Sequence, residues 1–360
     1  MPDKMIKINL ITSWNTECGI AETTRFLVTE LKKENNIQIN ICPVKKSDTR
    51  NPFYYIEMLK NIKKNQITHI QYHSDLFSPF IPGFSLGYFP MVIFLLKFWR
   101  KNKIITTVHE IDPNSMLDKL NIKFLNLSNK LIAHNRNTIN SMEKNGIKNN
   151  KLFLIPLGTS ESKILDKTFC KNKLGLSDRK ILTIFGFIGL NKGHDLIIDI
   201  LQELDEDCIL IIAGASSNRE QIEYRHLLKN KILSSGLQGK VKFLGFVDEK
   251  KLPVVANATD IFLYPYRWIV ASAALNIALS YQIPTITSDL DYFREIKKEY
   301  SCITLFKSGN EQDLLEKIQE LLSSDEKQKH LKEKCRYFNK KTSWKSIGSK
   351  TKELYLELIR

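Results

Sequence analysis

Residues 181–196 read Ile-Leu-Thr-Ile-Phe-Gly-Phe-Ile-Gly-Leu-Asn-Lys-Gly-His-Asp-Leu. The first five, Ile181–Phe185, form a short run rich in β-branched and aromatic residues, the form of a parallel strand covered on both faces. Gly186, Gly189 and Gly193 then permit tight turning, and an apolar helical pattern follows from Leu196 to Leu204. Strand, glycine-rich loop and helix make a βα unit. Lys192, beside the helix start, gives that loop an ammonium as well as backbone N–H groups, a plausible diphosphate site. The plainer alternative is a turning loop with a solvated lysine.

The same alternation runs in both directions from this unit. Strands are expected at Ile6–Thr12, Ile37–Val44, Ile67–Tyr72, Ile104–Val108, Lys130–His134 and Leu152–Ile155. A second set is expected at Ile181–Phe185, Cys208–Ala213, Val241–Leu244, Ile261–Tyr264, Thr285–Thr287 and Ile303–Leu305. Helical stripes lie between them, for example Glu22–Lys33 and Asp313–Leu322. At 360 residues the chain has room for two such α/β domains of roughly 150 to 200 residues each. The polar stretch Thr159–Asp178 lacks a sustained apolar period and reads as the linker between them. We therefore expect an N-terminal domain over 1–165, a C-terminal domain over 166–340, and a final helix within 341–360 that packs back on the first domain.

Composition narrows the partners. The chain carries 54 Lys and Arg against 39 Asp and Glu, a net charge of +15. Residues 1–158 hold 22 of the basic and 12 of the acidic residues, so +10 of the surplus lies there. No helix-turn-helix, zinc-finger or RNP-type aromatic motif accompanies this charge, and nucleic acid is not expected. An anionic membrane surface or acceptor fits better. The segment Leu76–Leu96 is free of charge, but Pro79, Pro82, Gly83, Gly87 and Pro90 interrupt it, so it is not expected to span a bilayer. The six cysteines are widely spaced, form no Cys-x-x-Cys pair and have no histidines at zinc-ligand spacing. They read as reduced thiols of a cytoplasmic protein, and the short apolar run at the N-terminus is too brief for a signal peptide.

Ligands of open parallel sheets bind where strands end and helices begin. Four loops are therefore candidates. Gly19 lies in the loop after the first strand. His109 follows Ile104–Val108, where an imidazole can serve a ligand. The loop after Phe185 carries Gly186 and Lys192. The loop after Tyr264 carries Arg267 and leads to a helix start of small residues, Ser272 and Ala273, whose N–H groups can meet an anion. One glycine in the first loop is not the Gly-x-Gly-x-x-Gly of a dinucleotide fingerprint, which counts against a nicotinamide-dependent enzyme.

Taken in order, Cys18-Gly19-Ile20-Ala21, Thr107-Val108-His109, Ile155-Pro156-Leu157-Gly158, Gly186 through Gly193, Ile212-Ala213-Gly214, Phe243 through Val247, Ala258 through Arg267 and Ile283 through Asp289 resemble glycosyltransferase family 4 (glycosyl transferases group 1). Nearly the full chain takes part. The resemblance implies an α/β chain of the GT-B fold, two Rossmann-like domains whose parallel sheets face each other across a cleft. It also implies a retaining hexosyltransferase. A UDP- or GDP-sugar donor would be held mainly by the second domain and a glycan or lipid-linked acceptor mainly by the first. The setting it implies is cell-envelope polysaccharide assembly, in the cytoplasm or peripherally on the inner face of the plasma membrane. No cofactor and no catalytic metal are implied, the nucleotide-sugar being a substrate.

Residue by residue, Lys192 matches the family's phosphate-binding lysine, His109 the histidine that contacts the transferring sugar, and Gly19 the glycine loop over the donor phosphates. Gly245, Phe246 and Val247 match the loop whose backbone meets the nucleobase. Two motifs depart from the pattern. Phe187 stands where the family's Gly-Arg pair has its arginine, and Ile269 and Ile277 stand where its Glu-x7-Glu motif has carboxylates. Arg267 is the candidate to supply the missing phosphate charge. Those departures keep two alternatives in view: a catalytically lapsed glycan-binding subunit and a GT-B sugar-nucleotide epimerase.

Overall fold

The computed structural model describes residues 5–16, 18–44, 51–77, 87–111 and 115–360. Pro79, Pro82 and Gly83 fall outside these residues. In chain order the elements are β1 (Ile6–Thr12), α1 (Gly19–Leu31), β2 (Ile37–Pro43), α2 (Pro52–Asn61), β3 (Ile67–Tyr72), α3 (Phe89–Phe98), β4 (Lys103–Val108), α4 (Met116–Leu125), β5 (Lys130–Ala133), α5 (Arg136–Lys144) and β6 (Leu152–Leu154). They continue as α6 (Lys167–Leu174), β7 (Lys180–Phe185), α7 (His194–Ile200), β8 (Cys208–Ala213), α8 (Arg219–Ser234), β9 (Val241–Phe243), α9 (Leu252–Ala258), β10 (Ile261–Tyr264) and α10 (Ala273–Ser280). The last are β11 (Thr285–Ser288), α11 (Asp291–Tyr300), β12 (Thr304–Phe306), α12 (Glu311–Leu322), α13 (Asp325–Thr342) and α14 (Trp344–Ile359).

The chain divides into two units, residues 1–158 with 344–360, and residues 159–343. Both crossings lie at one place. Thr159 bridges to Ser343, and its N–H donates to the Thr342 carbonyl at 2.8 Å. The division thus falls at Gly158 and Ser343 rather than at 165 and 340.

The first unit is a six-stranded parallel sheet in the order β2-β1-β3-β4-β5-β6. Period-2 alternation sends Ile70, Ile104 and Leu131 to one face, against Tyr55, Phe77, Phe89 and Ile93. Ile67, Ile105 and Ile132 go to the other, against Leu27 and Leu31 of α1 and Trp344, Ile347 and Tyr355 of α14. Trp344 stacks on Phe26 with ring centroids 5.5 Å apart. The final helix therefore completes the core of a unit whose other elements end near residue 158.

The second unit is a six-stranded parallel sheet in the order β12-β11-β10-β7-β8-β9. Leu182, Ile184, Leu210, Ile212 and Leu263 face α7, α8 and α12, while Ile209, Ile211, Phe262 and Tyr264 face the other side. The expected linker Thr159–Asp178 is not wholly irregular, because α6 lies within it. Its caps are ordinary, Asp166 accepting from the Phe169 N–H at 2.7 Å and Gly175 ending it at φ +69°. Its attachment is polar: Lys167 and Lys171 both pair with Asp260, and only Cys170 is buried. Hydrophobic periodicity could not find such a helix. Two other helices begin or end earlier than expected, α1 at Gly19 and α7 at Ile200.

Candidate functional site

In the second unit the strand order reverses between β7 and β10, since β8 follows β7 on one side and β11 follows β10 on the other. Such a switch point leaves a crevice at the carboxyl ends of the two strands. The loops that leave them carry Gly186 to Gly193 and Pro265 to Ser272. They are stitched together: the Arg267 N–H donates to the Asn191 carbonyl at 2.8 Å, and its guanidinium to the Leu190 carbonyl at 2.8 Å. Close backbone approach explains two glycines. A Cβ on Gly193 would sit 2.0 Å from the Pro265 carbonyl oxygen, and one on Gly214, after β8, would sit 1.8 Å from that of Gly186.

Lys192 stands in this crevice with its Nζ 3.8 Å from the centroid of the Tyr266 ring. Burial pulls its ammonium down to about 8, and among the described residues no carboxylate pairs with it. A half-buried cation that has a π-face but no counter-ion is prepared for an anion from outside. Gly186 lies against Ala274 at the start of α10, its Cβ position 3.5 Å from that of the alanine. Ser272 is the N-cap of α10, its hydroxyl accepting from the Leu275 N–H at 3.1 Å, and Ala273 is the first helical residue and exposed. Gly186, Lys192, Ser272 and Ala273 are thus brought to one place. Gly245, Phe246 and Val247 follow β9 at the same edge of the sheet, two strands from β7; Gly245 has φ +68° and Phe246 is exposed.

Arg267 is placed differently from the expectation. Its guanidinium grips Asp195 with two hydrogen bonds, 2.9 and 2.6 Å, rather than standing open to a phosphate. Asp195 comes from the first turn of α7 and also accepts from the Tyr224 hydroxyl at 2.5 Å. Burial acts to raise the Asp195 carboxyl, but these hydrogen bonds outweigh it and bring it down to about 2. Arg267 therefore braces the Lys192 loop. Ile269 and Ile277 pack against the apolar cluster around Phe262 and Tyr266, so no carboxylate stands at their positions.

In the first unit the order reverses between β1 and β3. Gly19 opens α1 after the loop that follows β1, exposed and with none of the described residues within 4 Å of its Cβ position. Glu17 of that loop lies outside the described residues. His109 follows β4, its N–H donating to the Tyr72 carbonyl at 3.0 Å and its Nε2 lying 2.7 Å from Gln71 Oε1. Around it the sheet carries a polar line that sequence reasoning passed over. His69, Gln71, Thr107, His109 and His134 line one small cavity with Thr23 and Thr24 of α1 and Thr351 of α14. His134 is 5.0 Å from His109 between ring centroids; its Nδ1–H donates to the Ile155 carbonyl, and its buried Nε2 has no partner among the described residues. Burial, then the neighbouring imidazoles, hold His109 well below the usual histidine range, so the ring is neutral at pH 7. The signal was the pattern His69-x-Gln71 on a buried strand, two polar residues on one face.

Residues 166–337 match the family model described as glycosyl transferases group 1. The second unit is a glycosyl transferases group 1 domain. Among similar curated proteins, mannosylfructose-phosphate synthase of Agrobacterium fabrum is 28% identical over 157 residues, 41% of this chain and 34% of that one. The lipopolysaccharide core mannosyltransferase LpsB of Rhizobium meliloti is 28% identical over 135 residues, 36% of this chain and 38% of that one. The chain thus spans little more than a third of the length of these relatives. Among solved structures, HepE of Anabaena in complex with UDP superposes with a TM-score of 0.80 at 14% identity, covering 98% of this chain and 100% of that one. This likeness, together with two parallel six-stranded sheets flanked by helices, shows the GT-B fold. The glycosyl transferases group 1 domain contains β7 to β12 and hence the whole Lys192 crevice.

Proposed function

We propose that the protein is a retaining glycosyltransferase that moves a hexose from a UDP- or GDP-sugar to a glycan or lipid-linked acceptor in cell-envelope polysaccharide assembly. The observation that carries this reading is the unneutralised Lys192 ammonium in the β7–β10 crevice of a glycosyl transferases group 1 domain. HepE structures hold UDP and UDP-glucose, which supports a nucleotide-sugar here. The acceptor hydroxyl forms its bond to the anomeric carbon on the face from which the diphosphate departs. The carbon–oxygen bond to the diphosphate breaks, and the hydroxyl proton passes to a phosphate oxygen. Lys192 and the N–H groups beside Gly186 and Ala273 meet the charge that develops, a contribution of about 2 to 4 kcal/mol from the lysine. His109 contacts the transferring sugar, Gly19 lies over the donor phosphates, and the Gly245-Phe246-Val247 segment meets the nucleobase. Phosphate charge is met without a metal or other cofactor.

Nucleotide release from a panel of UDP- and GDP-sugars, with and without membrane extract, tests the reading. Release with at least one donor, lost in Lys192→Ala, is the expected result. Binding without turnover of any donor would favour a lapsed glycan-binding subunit, a reading to which Ile269 and Ile277 lend support. Interconversion of free sugar nucleotides without acceptor would identify an epimerase instead. The enzyme works in the cytoplasm, the basic first unit touching an anionic membrane. Among the described residues no helix is long and apolar enough to cross one.

A further inference from the structure

His69 and Gln71 are two residues apart on β3 and share one face of the sheet, and Thr107 of β4 sits in register with Gln71. Gln71 Oε1 lies 2.7 Å from His109 Nε2, and Gln71 Nε2 lies 3.4 Å from His69 Nε2. The Thr107 hydroxyl is 2.7 Å from that same His69 nitrogen, and the Tyr355 hydroxyl is 2.6 Å from His69 Nδ1. A side-chain amide oxygen only accepts and its NH2 only donates. His109 Nε2 must therefore carry a proton, to donate to Gln71. His69 Nε2 must be bare, to receive from Gln71 and Thr107, so its Nδ1–H donates to Tyr355. One amide couples the tautomers of two imidazoles.

We propose that Gln71, oriented by His69 and through it by Tyr355 of the last helix, is a positioning residue that fixes His109 as the Nε2–H tautomer. Nδ1 of His109 is then the ring's acceptor, the form suited to a hydroxyl of a bound sugar. His69 and Tyr355 are fully buried. Burial also holds His69 down to about 3, which keeps the bare nitrogen that Gln71 needs. The step to sugar binding rests on the function proposed above; the tautomer does not.

The test is nitrogen-15 NMR of the histidine rings in the full chain, with the His109 signals assigned by His109→Gln. The expected wild-type pattern is a protonated Nε2 and a bare Nδ1 on His109. Gln71→Glu keeps that tautomer and raises the pH at which the ring protonates, against the opposing influence of His69, His73 and His134 around it. Gln71→Leu gives a mixture of tautomers. It also lowers kcat roughly tenfold, the equivalent of one net hydrogen bond, and Gln71→Glu recovers part of that loss. A protonated Nδ1 in the wild type, the pattern of a turned-over Gln71 amide, overturns the proposal. So does an unchanged tautomer in folded Gln71→Leu. If that variant does not fold, the wild-type tautomer and the Gln71→Glu shift decide. Absence of turnover with every donor, alongside the expected tautomer, would count against the proposed function and leave this inference standing.

Discussion

Arg267 and Asp195 hold each other by two nitrogen–oxygen contacts of 2.9 and 2.6 Å, joining the loop after β10 to the first turn of α7. Both residues follow the Lys192 loop in sequence, Asp195 closely and Arg267 from the loop after β10, and Arg267 also donates to the Leu190 and Asn191 carbonyls within it. Asp195 is lowered from 3.8 to about 2 on folding, so its contribution to stability is present above pH 3.8 and is lost as pH falls through about 2. Thermal melts from pH 6 down to about 2 should show the wild type losing more stability in that window than Asp195→Asn. At neutral pH, Arg267→Ala should cost about 1 to 2 kcal/mol, a charge-assisted fork discounted for partial exposure. Equal acid slopes in wild type and variant would show that the pair contributes nothing.

Nucleotide binding should report the Lys192 ammonium. Free, it titrates at about 8 because burial penalises the charge. A bound diphosphate favours the charged form, so above that pH binding takes up a proton. UDP or GDP affinity should then be flat below about pH 7 and weaken toward tenfold per unit above 8, until the bound-state value is reached. In Lys192→Met the slope should vanish along with most of the affinity. Calorimetry across pH 6 to 10 would decide, and a flat wild-type profile would remove Lys192 from the phosphate site.

Two glycine-to-alanine changes should separate packing from open loop. At Gly214 the new methyl meets the Gly186 carbonyl, and relieving it must shift the Lys192 loop. Gly214→Ala should cost about 1 to 3 kcal/mol and weaken nucleotide binding. Gly19→Ala meets nothing and should leave the stability within about 0.5 kcal/mol of wild type. Similar melts for the two would contradict the close approach.

Membrane contact can be read from vesicles. Phe94, Phe98 and Trp99 on and after α3 are 51%, 55% and 42% exposed, and the two phenylalanine rings touch at 4.6 Å between centroids. Binding should rise with anionic lipid and weaken with salt, each Lys or Arg near the surface contributing about 1 kcal/mol. Binding that survives high salt should disappear when these three aromatics become polar. No binding to vesicles of any composition, together with efficient transfer to a soluble glycan, would sink this part of the reading alone.

Most of the architecture was legible because most strands of these sheets are short runs rich in apolar and β-branched residues bounded by turn residues. Ile6–Thr12, Ile67–Tyr72, Cys208–Ala213 and Ile261–Tyr264 have the boundaries read from sequence. α6 was not legible, because lysines on one aspartate hold it rather than an apolar stripe. The loops of the candidate site were legible as strand ends, but the partners inside them were not. Nothing in the spacing of Arg267 and Asp195 says that they meet, since 72 residues separate them. Likewise the roles of His69 and Tyr355 arise only when the last helix is laid on the first sheet, 286 residues apart in the chain.

That last helix sets an order of events during synthesis. Domains commonly fold as they leave the ribosome, the N-terminal one first. Here the first unit cannot close its sheet over Trp344, Ile347 and Tyr355 until translation has passed through the whole of residues 159–343. The later-made unit can finish first, while the earlier one waits with one face of its sheet covered by α1 alone. A stop codon before Trp344 would strand it there, and His69 would have been built into a protein that never supplies its hydroxyl.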